Sequence, residues 1–152
     1  MGYELVEVTD PADWDAYHAI RRQELFEARG RFGIYDPNYP GERLPGMHPY
    51  LLKLDGRPLG TTRLDIREDG TAIFRLVAIT ASEQGRGHGR VLSRLVEERA
   101  RAFGAQMLFV NAADTAVGYY EATGWRRHIW DERELVGIAS SCIQMCKPIA
   151  QA

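Results

Sequence analysis

The chain has 152 residues, 45% of them hydrophobic and 26% charged, with a formal net charge of −2. This length allows one ordinary domain with a hydrophobic core, so we expect residues 1–152 to form a single domain. Without a basic excess, a general nucleic-acid binder or membrane-surface binder is not expected.

The N-terminus and the two cysteines indicate where the protein resides. Residues 1–5 carry neither the basic segment nor the apolar stretch of a secretion signal, and no run approaches the length of a membrane span. In a strand, Cys142 and Cys146 would share a face but lie about 13 Å apart, too far for a disulfide. We therefore expect free thiols and a cytoplasmic protein.

The first part of the chain predicts a strand, a helix and a long irregular segment. Residues 3–8 alternate loosely and predict the strand. Asp10 and Pro11 are typical of a helix N-cap and first helical position, and the helix should end near Gly30. Residues 31–49 contain four prolines and three glycines, which predicts an irregular segment. So long an irregular segment in a small domain is more often functional than a plain connecting loop.

Three strands should follow as an antiparallel meander. Residues 50–54, 59–66 and 71–79 have the composition of strands. They are separated by Asp55-Gly56, a hairpin turn signal, and by a second turn at residues 68–70.

The second half predicts a crossover unit. A helix from Arg90 has one apolar face and should be closed by Gly104. Residues 107–110 predict a buried strand. Asp114 is expected to cap a short helix over residues 115–122.

Residues 125–130 and 141–147 predict a last strand pair, joined by the polar segment 131–139. Strand hairpins in the first half of the chain and a strand–helix–strand crossover in the second half imply an α/β (α+β) fold. We expect a mixed, mostly antiparallel sheet of six to seven strands, flanked by helices.

A glycine-rich loop lies between the third meander strand and the following helix. Residues 84–89 read Gln-Gly-Arg-Gly-His-Gly, and a loop at a helix N-terminus binds phosphate through backbone N–H groups. A P-loop would need Lys and Ser or Thr after Gly89, where this chain has Arg90 and Val91. A dinucleotide fingerprint would need glycine at position 90.

Two motifs resemble those of one family. The pattern Gln84-x-x-Gly87-x-Gly89 resembles motif A of the GNAT superfamily of N-acetyltransferases. Residues 119–125, Tyr-Tyr-Glu-Ala-Thr-Gly-Trp, resemble that family's Phe-Tyr-Glu-x-x-Gly-Phe segment. The resemblance covers about residues 73–127. It implies the GNAT fold, acetyl-CoA as co-substrate and no metal.

The resemblance also implies a set of donor-binding residues. The N–H groups of residues 85–90 would bind the pyrophosphate, and the side chains of Arg86, His88 and Arg90 would either add charge or form a solvated rim. The strand over 73–79 would splay from the strand ending at Val110, so that the pantetheine arm pairs with its edge. The implied cofactor-binding residues are Val77, Ile79, Gln84, Gly85, Arg86, Gly87, His88, Gly89 and Arg90.

The resemblance places catalysis on Tyr120, beside the CoA sulfur. Complete proton transfer from a tyrosine of pKa ~10 to a thiolate whose acid has pKa ~8.5 is uphill by roughly 2 kcal/mol. A hydrogen bond that strengthens as negative charge develops is therefore expected instead, and Ile79 N–H would stabilise the oxyanion.

The attacking amine must be neutral. At pH 7 a lysine-like amine pays about 4.6 kcal/mol for deprotonation and an α-amine about 1.4 kcal/mol. Many members of the family that the sequence resembles have Asn or Gln at the position that Ala113 occupies here, and in this chain the nearest Asn, Asn111, lies two residues earlier. Six residues are candidates for the base that deprotonates the amine, and each is also consistent with a solvated surface group: Glu42, His48, Asp65, His128, Glu132 and Glu134.

The predicted function is acetyl-CoA-dependent acetylation of a primary amine, by direct attack on the thioester. Tyr35, Tyr39, Glu42 and His48, with residues 131–139, would wall the pocket for a small-molecule or peptide amine. A non-catalytic acyl-CoA-binding module remains an alternative. So does an acyl-homoserine-lactone-synthase-like enzyme, which residues 50–64 resemble. Edge strands near the C-terminus allow a homodimer.

Overall fold

The computed structural model describes residues 2–39 and 44–149, which form a seven-stranded sheet with helices on both faces. The strands are β1 (Tyr3–Glu7), β2 (Met47–Leu54), β3 (Arg57–Ile66), β4 (Thr71–Ile79), β5 (Met107–Ala112), β6 (Arg126–Arg127) and β7 (Ile143–Pro148). The α-helices are α1 (Pro11–Arg21), α2 (His88–Ala102) and α3 (Val117–Ala122).

The sheet has the order β1-β2-β3-β4-β5-β7-β6. Only β4 and β5 pair in parallel, and the other neighbours are antiparallel. The prediction of a mixed, mostly antiparallel sheet of six to seven strands is confirmed. Among the described helices, none is long and apolar enough to cross a membrane.

The first helix begins as its sequence predicts and then changes type. The Asp10 carboxylate accepts from the Asp13 N–H at 2.8 Å, and Pro11 occupies the first turn. After Arg21 the chain continues as a π-helical turn (Arg22–Phe26) and a 3-10 turn (Glu27–Arg29), which Gly30 ends with φ 75°. The end near Gly30 is confirmed, whereas no sequence signal indicated the π-helical turn.

The meander is confirmed with longer strands than predicted. β2 begins at Met47, so residues 47–49 are strand rather than irregular. Asp55 and Gly56 have φ of 51° and 81°, and positive values at both central residues suit a tight hairpin turn.

Two local predictions in the second half are wrong. Asp114 does not cap α3: it begins a 3-10 turn (Asp114–Ala116), and its side chain makes no capping hydrogen bond. Cys142 precedes β7, so it does not share a strand face with the buried Cys146. Both cysteines are free thiols.

Alternating residues of the central strands bury both faces of the sheet. On one face Leu52, Leu64 and Phe74 join the apolar side of α2, where Leu92 and Val96 are buried. On the other face Leu51 packs with Val8 and with Tyr17 of α1. The helices therefore pack against the middle of the sheet, and the cleft forms at the strand ends beside β5.

Candidate active site

The parallel strands β4 and β5 separate halfway along their length. They pair from Thr71 to Phe74 and from Met107 to Val110. Beyond that point β5 continues its pairing with β7, and residues 75–79 have no strand partner on the β5 side among the described residues. The expected splay is confirmed, and it leaves a free backbone edge.

A bulge in β4 accounts for the separation. The register with β3 runs from Thr61↔Ala78 to Arg63↔Arg75, so β4 contains one extra residue. Leu76 takes φ 53°, a left-handed conformation that costs a non-glycine residue about 1–2 kcal/mol. Bulges bend the strand that carries them, and here the bend carries residues 77–79 away from β5.

The free edge presents the backbone of the two residues that the resemblance implied. Thr80 N–H donates to Leu59 O on the β3 side at 2.8 Å. Because backbone groups alternate along a strand, the N–H groups of Val77 and Ile79 face the free edge. The Ile79 carbonyl lies on that edge and accepts from Gln84 Nε2 at 2.8 Å, so Gln84 braces the strand end.

The glycine loop leaves a row of amides free at the start of α2. Gly85 and Gly87 have φ of 79° and 85°, which favours glycine at both positions. Among the described residues, no acceptor is hydrogen-bonded to the N–H groups of residues 85–90. Together with the N-terminus of a 15-residue helix, these amides form an anion-binding site.

Gly89 differs from the other two loop glycines. Its φ is not in the left-handed region, and a methyl group there would meet only Ile79 Cγ1, at an ordinary 3.9 Å. The fold itself therefore does not require glycine at position 89, although this residue lines the cleft. Close approach of a ligand explains it better.

The three basic side chains of the loop have different environments. His88 is buried, with Nδ1 2.7 Å from the Tyr3 hydroxyl and Nε2 3.4 Å from Glu83. Arg86 and Arg90 are exposed; Arg86 lies 3.8 Å from Glu83 and Arg90 stacks over the Tyr119 ring. Only the two arginines are therefore available to a ligand in solvent, and His88 packs the loop onto β1.

Tyr120 lies at the middle of the cleft. Its ring is buried, in edge contact with Tyr119 and Trp125 at 5.4 and 5.3 Å. Burial raises the pKa of Tyr120 well above its usual value. Within the described residues the hydroxyl has no hydrogen-bond partner, and the raised pKa favours its protonated form, so it can donate to a ligand.

A single cleft of about 990 Å³ joins these features. Gly89, Ser93 and Tyr119 line the part beside α2, and Leu76 and Val77 line the free strand edge. Residues between 21 and 39 and between 131 and 142 line the remainder, which we call the acceptor side. The volume is at the upper end for ligand pockets and suits two substrates.

A buried ion-pair network forms the floor of the acceptor side. Arg63 donates to both carboxylate oxygens of Asp65 at 2.7 and 2.9 Å, and Arg75 Nε donates to Asp65 at 2.9 Å. The terminal nitrogens of Arg75 donate to both carboxylate oxygens of Glu134, Nη2 to Oε2 at 2.9 Å. Asn111 Nδ2 also donates to Glu134, at 3.1 Å. Strand β4 is thereby tied to the segment after β6.

Gln144 completes the attachment of that segment. Its Oε1 accepts from the N–H groups of Trp130 and Asp131 at 2.9 and 3.0 Å. Its Nε2 donates to the Asp131 carbonyl at 2.7 Å and to Asn111 Oδ1 at 3.0 Å. Asn111 is thus a structural link as well as a cleft residue.

Two of the four residues predicted to wall the acceptor pocket line the acceptor side of the cleft. Tyr35 and Tyr39 line the cleft, and the Tyr35 hydroxyl is hydrogen-bonded to His18 Nδ1. His48 does not line it, because it contacts Glu7 and the Phe103 ring instead. Glu42 lies outside the described residues.

The described base candidates are either paired or outside the cleft. Asp65 is held by two arginines, and the guanidinium of Arg75 lowers the pKa of Glu134. Glu132 and His128 are exposed and do not line the cleft. Among the described candidates, none therefore lies in the cleft as an unpaired base.

Four cleft residues have roles that the sequence did not reveal: Arg29, Arg31, Arg75 and Cys142. Burial raises the pKa of Cys142, while the charges of Arg29 and Arg31 act in the opposite direction and that of Asp114 adds to the increase. A signal existed only for Arg75, a charged residue inside the apolar run of β4.

One hydrogen bond links the two sides of the cleft. Glu24, in the π-helical turn, accepts from the N–H of Ala81 at 3.0 Å. A proline at this position could not make the bond, because proline has no backbone N–H to donate. Alanine here therefore allows the turn before the glycine loop to be anchored to the acceptor side.

Fold and cleft together are those of an acyltransferase, and the comparisons with known proteins agree. The chain belongs to the GNAT acetyltransferase family: the model of the "Acetyltransferase (GNAT) family" matches residues 9–125. This match confirms the resemblance noted in the sequence, and it supports acetyl transfer as the general activity.

Solved structures with this fold are numerous. A putative N-acetyltransferase from Lactobacillus plantarum is 25% identical, with a TM-score of 0.78 over 99% of this chain and 100% of that one. The ribosomal-protein-S18-alanine N-acetyltransferase from Escherichia coli is 16% identical, with a TM-score of 0.75 over 99% and 96%. The PaiA N-acetyltransferase from Thermoplasma acidophilum, in complex with coenzyme A, is 13% identical, with a TM-score of 0.72 over 98% and 100%.

Proposed function

We propose that this protein is an acetyl-CoA-dependent N-acetyltransferase that acts on a primary amine. One observation carries the proposal: a single cleft is lined by Gly89 of the loop with free amides, by Val77 on the free edge of β4 and by Tyr120. The coenzyme A held by the PaiA relative supports an acyl-CoA as donor here.

Backbone groups bind the donor in this proposal. The N–H groups of residues 85–90 bind the pyrophosphate, with charge from Arg86 and Arg90. The pantetheine arm lies along the free edge and pairs with Val77 and Ile79 as an added strand would. Ile79 N–H then donates to the thioester carbonyl oxygen, where negative charge develops during attack.

The acetyl group passes directly from sulfur to nitrogen. The neutral amine attacks the thioester carbonyl, a C–N bond forms, and the C–S bond breaks as CoA leaves as a thiolate. Tyr120 donates a hydrogen bond to that sulfur. Its raised pKa means that the hydroxyl keeps its proton, so the proton released by the amine reaches the thiolate through solvent.

The direct test is release of free CoA thiol from acetyl-CoA in the presence of a panel of amines. The panel contains amino acids, peptides, polyamines and aminoglycosides, with a reaction lacking any amine as the control for hydrolysis. We expect amine-dependent thiol release with at least one class. If no amine increases release while acetyl-CoA still binds, the protein is a non-catalytic acyl-CoA-binding module.

A cytoplasmic location and a homodimer remain predictions from the sequence. Gel filtration with light scattering tests the second, because a monomer at working concentration would contradict it.

A further inference from the structure

Positive charge exceeds negative charge on the acceptor side of the cleft. Six arginines and three acidic residues line the whole cleft. Two of the three acids are neutralised, because Glu134 is paired with Arg75 and Asp131 with Arg133. Arg29 and Arg31 have no ion-pair partner among the residues that the structure describes.

Both of these arginines line the same cleft as Cys142 and Tyr120. Their charges act on the Cys142 thiol, and Cys142 in turn acts on the buried Tyr120. Asp114 also acts on Cys142 but does not line the cleft. An anionic group bound by Arg29 and Arg31 would thus lie close to the amine that attacks the thioester.

The acceptor side suits an amine that loses its proton easily. Of the base candidates named from the sequence, none of those described lies unpaired in the cleft, as the contacts of Asp65 and Glu134 demonstrate. The third cleft carboxylate, Asp36, accepts a hydrogen bond from the Asn38 N–H at 2.8 Å. At pH 7 the α-amine of a peptide, with pKa ~8, is about 10% neutral, against about 0.04% for a lysine-type amine of pKa ~10.4. In a free amino acid the carboxylate raises the pKa of the amine, and pairing of that carboxylate with arginines offsets the increase. Nearby arginines lower the amine pKa further and repel polycations.

The mouth of the acceptor side is apolar. Ile34, Tyr39 and Val136 line the cleft with 58%, 56% and 65% of their surface exposed, and Ile138 is exposed as well. Apolar side chains so exposed at a pocket favour an apolar group on the ligand.

We propose that the acceptor is a free α-amino acid with an apolar side chain, whose carboxylate binds Arg29 and Arg31. This inference rests on the proposed function and names its substrate class. The α-amine attacks the acetyl carbonyl, the C–N bond forms and the C–S bond breaks. The products are the N-acetylamino acid and CoA thiol, which takes up the proton that the amine releases.

The test compares amino acids with their carboxamides in the thiol-release reaction. L-Leucine and L-phenylalanine are paired with L-leucinamide and L-phenylalaninamide, with spermidine as the polycation. The amine of an amino-acid amide is less basic than that of the free amino acid. If the protein did not bind the carboxylate, the amides would therefore be equal or better substrates. We expect kcat/KM at least 10-fold higher for the amino acids.

Two arginine variants make the test specific. Arg31→Gln and Arg29→Gln should each lower kcat/KM for the amino acid about 10-fold, lower that for the amide by less than about 3-fold, and leave acetyl-CoA affinity unchanged. Arg94→Gln is the matched control, because Arg94 lies on the exposed face of α2 outside the cleft.

The outcomes distinguish the two proposals. Turnover that favours the amides or spermidine overturns the amino-acid proposal. A preference for amino acids that both arginine variants retain also overturns it. Either result leaves the acetyltransferase proposal intact. Absence of turnover with every amine overturns both.

Discussion

The two sides of the cleft are built in different ways. The donor side consists of backbone: free amides at residues 85–90 and a free strand edge at Val77 and Ile79. The acceptor side consists of side chains from distant segments, joined through Arg75 and Glu134. Backbone geometry is fixed by glycines and a bulge, so it is a property of the fold. Side-chain geometry is a property of this particular chain, and substrate choice should reside there.

The largest effect is expected from Gly87→Glu, which would break the donor side alone. The left-handed φ of 85° is unfavourable for glutamate, and its carboxylate would repel the pyrophosphate. We expect acetyl-CoA affinity, measured by calorimetry, to fall more than about 100-fold. Gly104→Glu imposes the same kind of backbone strain at φ 92°, just after the opposite end of α2, and it should leave affinity unchanged. Tight binding by Gly87→Glu would refute the loop assignment.

Glu134→Gln should affect only the acceptor side. It removes the charge that pairs with Arg75 and loosens the segment that closes the cleft. We expect a roughly 10-fold higher KM for the acceptor, with unchanged acetyl-CoA affinity. The exposed neighbour Glu132, changed to Gln, is the control. A fall in acetyl-CoA affinity instead would mean that the two sides are not separable.

Gly89→Ala provides a finer test of the donor side. The protein has room for the methyl group, so thermal stability should not fall, while the group would intrude on the ligand. We expect acetyl-CoA to bind about 3- to 10-fold more weakly. Gly118→Ala, also a helical glycine with open space around it, should leave the affinity unchanged. Equal affinity in both variants would show that position 89 does not contact the donor.

The smallest effect concerns pH. Burial raises the pKa of Tyr120, so its hydroxyl stays protonated through the alkaline range in which an ordinary tyrosine ionises, near pH ~10. The ratio of kcat for the wild type to kcat for Tyr120→Phe should therefore stay constant between pH 7 and about pH 10. A ratio that declines toward 1 as pH approaches 10 would mean that Tyr120 ionises there.

The same division explains what could be predicted from the sequence. The loop at residues 84–89 and the motif around Tyr120 are local patterns, so they predicted the fold, which is confirmed, and the donor side that we propose. Arg29, Arg31 and Cys142 meet only because residues over 100 positions apart converge on β4, and no local pattern records that. The prediction that Asp114 caps α3 was wrong, because a residue type that favours capping does not form a cap when a 3-10 turn separates it from the helix.

The central claim is that Tyr120 acts on the leaving sulfur in a cleft that binds the donor mainly through backbone groups. It is tested most directly by measuring Tyr120→Phe in parallel by acetyl-CoA calorimetry and by initial rates with the best acceptor. We expect kcat to fall about 100-fold, the loss typical of one donor to a developing charge, with nearly unchanged acetyl-CoA affinity. An unaltered kcat would contradict the account.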